Sequence, residues 1–142
     1  MATARQIAEA YFAAALDRGD LEDALRQLRQ DVEFASPAAQ IRGRDQLRPY
    51  LEGFARAFPD ARYKINWAIE SGSSVAFEGV YSGTHTGTLR MPDGTELAAT
   101  GRHVSVPFVT LFDVKDDKIY SHRAYWDVAT VIAQLGLMPS KE

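Results

Sequence analysis

Three histidines, six tyrosines and no cysteine set the chemistry open to this chain. Without a thiol there is no thiolate nucleophile, no disulfide and no Cys-based zinc or iron–sulfur site. An imidazole exchanges protons near neutrality without environmental tuning, because its unperturbed pKa is ~6.5. Beside a phenol it can serve as general base, with the phenol as proton donor or oxyanion partner, which suits cyclisation or isomerisation next to a carbonyl. His122, His85 and Tyr81 are the candidates. Phe77, Gly79, Tyr81, Gly83 and His85 share one face of a strand pattern, and Tyr120, His122, Ala124 and Trp126 share one face of another. Val106, Phe108 and Thr110 form a matching set on a third, where Pro107 implies a bulge or an edge position.

Each candidate also has a plain structural reading. His85, inside Gly83-Thr84-His85-Thr86-Gly87, suits backbone bonding where a strand bends. Tyr81 suits a core aromatic whose hydroxyl reaches a neighbour. Asp127 reads as a helix cap. Arg123 and His103 fall on the opposite strand faces, so Arg123 suits a salt bridge or a dimer contact. A metal site from His85, His103 and His122 would need phases that disagree, so neither metal nor cofactor is expected.

The elements that must position these groups are legible in order. Thr3 and Gln6 have capping-box spacing before a helix over about residues 4–17. Asp20 caps a short second helix carrying Leu21, Ala24, Leu25 and Leu28. Residues 31–36 read as a short strand ending at Pro37. A third helix over about 44–57 carries Leu47, Tyr50, Leu51 and Phe54, with Pro49 bending it. The period then changes to two. Tyr63, Ile65, Trp67 and Ile69 alternate, a turn at 71–73 leads to a strand through Val75 and His85, and Pro92-Asp93-Gly94 turns into a strand over 98–114. Asp116-Asp117 leads to a final strand over 118–126. A short helix follows to Leu135, closed by Gly136 with Pro139 beyond. Three helices, a four-stranded antiparallel meander and a terminal helix make one α+β domain, a curved antiparallel sheet wrapped around the helices.

Composition removes several classes of function. Basic residues are scattered over a chain of net charge −3, so no stripe tracks a phosphate backbone and nucleic acid is not expected. No stretch approaches the ~18 apolar residues of a membrane span. The N-terminal residues enter a helical pattern without a secretion signal, which leads to the expectation of a cytoplasmic protein.

Phe58-Pro59-Asp60, Gly83-Thr84-His85-Thr86-Gly87, Thr100-Gly101-Arg102 and Tyr125-Trp126-Asp127 before Gln134-Leu135-Gly136-Leu137 resemble, in order and spacing, SnoaL-like proteins of the nuclear-transport-factor-2-like superfamily. The resemblance covers about residues 5–139 and implies a cone-shaped fold around an apolar pocket. Relatives include polyketide cyclases, epoxide hydrolases, ketosteroid isomerases, dehydratases and non-catalytic binding domains, so the fold implies a pocket and not a reaction. It also places the strand sets above on the concave side, with Phe54, Phe58, Phe77, Val106, Phe108, Thr110, Ala124 and Trp126 as ligand-binding wall. The relatives' acids are missing here. The general-base Asp before Pro reads Ser36-Pro37, the Arg-x-Asp pair reads Gly79-Val80-Tyr81, and Ala124 stands where the acid of the last strand would be. His122 is thus left as the best proton-transfer group, with Tyr81 and His85 as partners.

Three functions follow from this reading. They are a cyclase, isomerase or hydrolase acting on a small apolar molecule, a non-catalytic binding protein with the same pocket, and a protein-interaction domain using the convex face. Val109, Leu111, Ile119 and Tyr125 are placed on that convex face, too apolar for water, and a homodimer through it is expected.

Overall fold

The computed structural model describes residues 2–90 and 94–137. Most of the turn expected at Pro92-Asp93-Gly94, and Pro139 beyond the last helix, lie outside the described residues.

Helix α1 (Ala4–Phe12) starts at the expected capping box, Thr3 accepting from the Gln6 N–H at 3.1 Å and the Gln6 side chain accepting from the Thr3 N–H at 2.9 Å. It does not run on as an α-helix to residue 17. Residues Ala13–Asp17 widen into a π-helical turn before α2 (Leu21–Arg26), capped by Asp20. Helix α3 (Arg44–Ala57) holds Pro49 in its interior, where residue 49 has no N–H to offer the preceding turn.

Eight strands follow or interleave: β1 (Leu28–Ala35), β2 (Gln40–Arg42), β3 (Arg62–Ser71), β4 (Ser74–Thr84), β5 (Leu89–Arg90), β6 (Glu96–Leu97), β7 (His103–Lys115) and β8 (Lys118–Trp126); α4 (Val128–Gln134) closes the described chain. The large sheet has the order β2-β1-β8-β7-β4-β3, and β5-β6 pair separately. The meander β3-β4-β7-β8 is antiparallel as expected, but β1 lies parallel to β8, which makes the six-stranded sheet mixed. Strand β2 had no sequence signal because its three residues form a hairpin with β1 across Pro37.

Two bulges within the meander change which side chains face inwards. In β3 the register shifts between Ile65 and Trp67. Tyr63 and Ile65 therefore join the core, while Trp67 and Ile69 turn outwards, 54% and 55% exposed. In β7–β8 the register shifts after the Asp113–Ser121 pair, leaving Tyr120 as the extra residue. Tyr120, expected beside His122, is exposed, and Ile119, expected on the convex face, is buried in the core. One inserted residue reverses every later side chain, and alternation read from sequence cannot register it.

Pro107 produces no shift against β4, where Val80 is its partner. Its neighbour in phase, Ser105, donates its N–H to Gln134 Oε1 of α4 and accepts at its C=O from Gln134 Nε2. Odd residues of β7 thus direct their backbone groups away from β4. Because β8 ends opposite Phe108, the N–H that Pro107 lacks falls where no strand pairs.

Helix α1 packs on the concave face of the sheet. Phe12 meets Phe77 at 5.7 Å and Phe112 at 5.4 Å between ring centroids, within a core that also includes Leu28, Val32, Leu47 and Ile119.

Candidate functional site

His122 sits on β8 inside an aromatic box. Its ring stacks on Phe112 at 4.3 Å and meets Phe34 and Tyr11 edge-on at 5.0 and 5.4 Å. The Nε2 atom hydrogen-bonds Thr110 Oγ1 at 3.0 Å, while Nδ1 is buried without a partner. Burial among apolar rings penalises the imidazolium and lowers the pKa to about 3. The untuned imidazole expected from the sequence is therefore not what the fold provides, because enclosure by four side chains cannot be read from strand phase.

His85 lies elsewhere, fully enclosed against Phe58 at 5.4 Å. Its Nδ1 approaches Thr100 Oγ1 at 3.0 Å and the Thr100 N–H at 3.3 Å. Its backbone is tied to the loop on both sides, N–H to Arg102 O at 2.9 Å and C=O from Gly101 N–H at 2.8 Å. Nε2 has no well-directed partner; burial lowers the pKa, and the Gly87 backbone opposes that shift. No ring contact or hydrogen bond joins His85 to His122 among the described residues. His103 faces outwards and approaches Thr84 Oγ1 at 3.3 Å, and among the described residues no three His, Asp or Glu side chains gather as a metal site.

Tyr81 is half-buried and meets Phe58 edge-on at 6.1 Å. Burial, then the charges of Asp60 and Tyr50, push its phenol pKa up, so it stays protonated and is a weak acid. Its hydroxyl has no hydrogen-bond partner among the described residues.

The remaining wall residues divide by exposure. Phe58, Phe77, Val106 and Thr110 are closed off. Phe54, Phe108, Ala124 and Trp126 are half-exposed and form a rim with Tyr50 and Tyr81. Phe54 links the rim, meeting Tyr50 at 5.1 Å and Trp126 at 6.3 Å. Two open grooves, of about 830 and 360 Å³, do not include the rim residues. The larger is lined by Thr3, Glu70, Ser73 and Asp116 among others, and the smaller by residues of β1, β2 and β8 such as Phe34, Ile41 and Arg123. Arg123 bonds Asp113 at 3.3 Å, and Asp127 caps α4 through the Ala129 and Thr130 N–H groups, as expected of both.

The motifs that carried the resemblance meet in space. Asp60 accepts from the Thr84 N–H at 2.7 Å and from its hydroxyl at 2.8 Å. Thr86 and Gly87 donate to Ala57 O at the end of α3, and a Cβ at Gly87 would lie 2.0 Å from Arg56 O. These motifs fasten α3 to the sheet and hold the rim aromatics over it. Gly79 is fixed in the same way: a Cβ there would lie 2.2 Å from Lys64 O, beside the β3 bulge. A side chain at this position has no room without moving β3.

The family model described as SnoaL-like polyketide cyclase matches residues 5–135. Among solved structures, AclR of Streptomyces galilaeus, a candidate hydroxylase, is 22% identical with a TM-score of 0.80, covering 96% of this chain and 97% of its own. A candidate SnoaL-like polyketide cyclase from Jannaschia sp. CCS1 is 16% identical with a TM-score of 0.83, covering 96% and 93%. A protein of ketosteroid isomerase-like fold from Catenulispora acidiphila, in complex with trimethylamine, is 24% identical with a TM-score of 0.74, covering 96% of each chain. At these identities the likeness is one of fold. Comparison with curated proteins finds no match. Among the described residues no helix is long and apolar enough to cross a membrane.

Proposed function

The chain belongs to the SnoaL-like polyketide cyclase family, and from that membership we propose that it binds a small apolar organic molecule in the conical interior and acts on it as a cyclase, isomerase or hydrolase. Catalysis is by His122, without metal or cofactor; Tyr81, opposite Val106 on β7 where His122 is opposite Phe112, belongs to the rim, and His85 to the supporting loop cluster. The observation that carries this reading is the buried, unpartnered Nδ1 of His122. A buried polar atom without a partner calls for an explanation, and a catalytic role is one. In the tautomer that donates Nε2–H to Thr110, Nδ1 is a bare acceptor two residues from Ala124, where the resemblance places the relatives' acid.

A pKa of about 3 suits a base only if the charge it gains is neutralised as it forms. Proton transfer from carbon next to a carbonyl creates imidazolium and enolate together, and in a low-dielectric site that pair is far less costly than the cation alone. The ligand enters over the rim of Tyr50, Phe54, Tyr81, Phe108, Ala124 and Trp126, which supplies apolar contact with few polar groups.

General acid–base catalysis typically contributes 10²–10⁴-fold, so His122→Ala lowers turnover on that scale with the fold intact. His122→Gln, which keeps some hydrogen bonding, stays nearly inactive. Turnover at the parent rate in His122→Ala would refute the assignment. The second reading, a non-catalytic binding protein, is favoured by Ala124 in place of the acid, and its mark is a retained ligand with no turnover in any variant. In either case the outer sheet face is the seat of a homodimer.

A further inference from the structure

Tyr50 enters the sequence pattern as one of the apolar residues of α3, yet its hydroxyl has a defined polarity. Ser36, just after β1, accepts at Oγ the N–H of Ala38 at 3.1 Å and the N–H of Ala39 at 3.2 Å, closing the turn into β2. A hydroxyl oxygen carries two lone pairs, and both are now used. The third contact of Ser36 Oγ, 3.1 Å to Tyr50 Oη, is therefore made by the serine's own proton. Tyr50 accepts in that bond, and its own O–H proton has no acceptor among the described residues. Phe34 and Phe54, each 5.1 Å from the Tyr50 ring, hold it at the rim. Burial raises the Tyr50 pKa, against a smaller opposing effect of the Ser36 hydrogen bond, so the phenol stays protonated. A hydroxyl that accepts one hydrogen bond is polarised into a better donor for the next.

We propose that Tyr50 donates the hydrogen bond that seats a carbonyl or other acceptor oxygen of the ligand, and that Ser36 favours this polarity by occupying one of the two lone pairs of the Tyr50 oxygen. The proposal rests on the ligand-pocket reading and names the ligand's polar end. The sequence hid it because Tyr50 matched the helical apolar spacing and Ser36 stood out only as a missing acid.

The test uses paired small probes followed by NMR titration of the whole chain: 2-tetralone against tetralin, which lacks the oxygen, and indole against indene, which lacks the N–H. A neutral hydrogen bond corresponds to an affinity ratio of about three- to tenfold. Tyr50→Phe is expected to lower the 2-tetralone-to-tetralin ratio by that factor while tetralin binds as before. Ser36→Ala frees Tyr50 to accept, and the indole-to-indene ratio then rises above that of the parent. An unchanged 2-tetralone ratio in Tyr50→Phe overturns the role of Tyr50 alone. An unchanged indole ratio in Ser36→Ala overturns the assigned polarity. Failure of all four probes to bind the parent overturns the pocket reading, and this proposal with it.

Discussion

His122 is neutral at every pH where the protein is expected to work, and two consequences follow at the scale of this residue. Its folded pKa of about 3 lies below the unfolded value of 6.5, so the unfolded chain binds the extra proton between those limits. Stability from this group is complete above about pH 6.5 and is lost as pH falls towards 3, at roughly 1.4 kcal/mol per pH unit. Denaturant unfolding should show about 2 kcal/mol less stability from this source at pH 5 than at pH 7. That increment should vanish in His122→Gln; if the variant keeps it, another group is responsible. The second consequence concerns rate. A base of this kind gives no limb near the ordinary imidazole pKa, so turnover should be flat between about pH 5 and 8. A limb at about 6.5 that disappears in His122→Gln would show that the imidazole is exposed when the ligand enters.

The elements are held where backbone meets backbone, and glycine marks those places. Gly87 lies against the last turn of α3, and a methyl group there would strike a carbonyl that the helix cannot move. Gly87→Ala should therefore cost about 3 kcal/mol, the upper end for overpacking, read as a lower denaturation midpoint with unchanged m-value. A cost under about 0.5 kcal/mol would mean that the loop is free of α3. The hairpin between β7 and β8 is a different case. Asp116 and Asp117 both have positive φ, 55° and 62°, in a two-residue turn. Such turns favour glycine at the second position. Asp117→Gly should stabilise by about 0.5 kcal/mol, since it relieves left-handed strain at some entropic cost. Asp116 is better kept, because Arg29 bonds its carboxylate at 3.2 Å.

Across the whole molecule, the outer sheet face is where solvent contact is least favourable. The registers align Trp67, Glu78, Val109 and Tyr125 in one row, and Ile69, Ala76, Leu111 and Arg123 in the next. Trp67, Ile69, Val109 and Tyr125 are all exposed. The β3 bulge enlarges this face by turning two large residues onto it, beyond what the strand pattern indicated. A face of this kind is expected to be covered by a second copy. Sedimentation should show a dimer at micromolar concentration, and Trp67→Arg should shift it to monomer without unfolding. A parent protein that stays monomeric as concentration rises would refute the dimer.

The order of elements was readable because it depends on local chemistry: Thr3, Asp20 and Asp127 cap their helices through neighbours in sequence, and β8 spans the residues between its turn and its helix cap. The inward phase of Phe77, Tyr81, Val106, Phe108 and His122 was readable for the same reason. The parallel pairing of β1 with β8 was not, since it joins segments about ninety residues apart with no local signal. Nor were the bulges at Asn66 and Tyr120, because one unpaired residue is set by what the neighbouring strand demands, and each reverses the side chains beyond it. The candidate site followed that division. His122, Tyr81 and the rim aromatics were legible as types on a face, whereas the depressed basicity of His122 and the bond between Ser36 and Tyr50 arise from side chains that meet only after folding. Burial and lone-pair occupancy belong to contacts in space, and a sequence sets residue types without setting those contacts one by one.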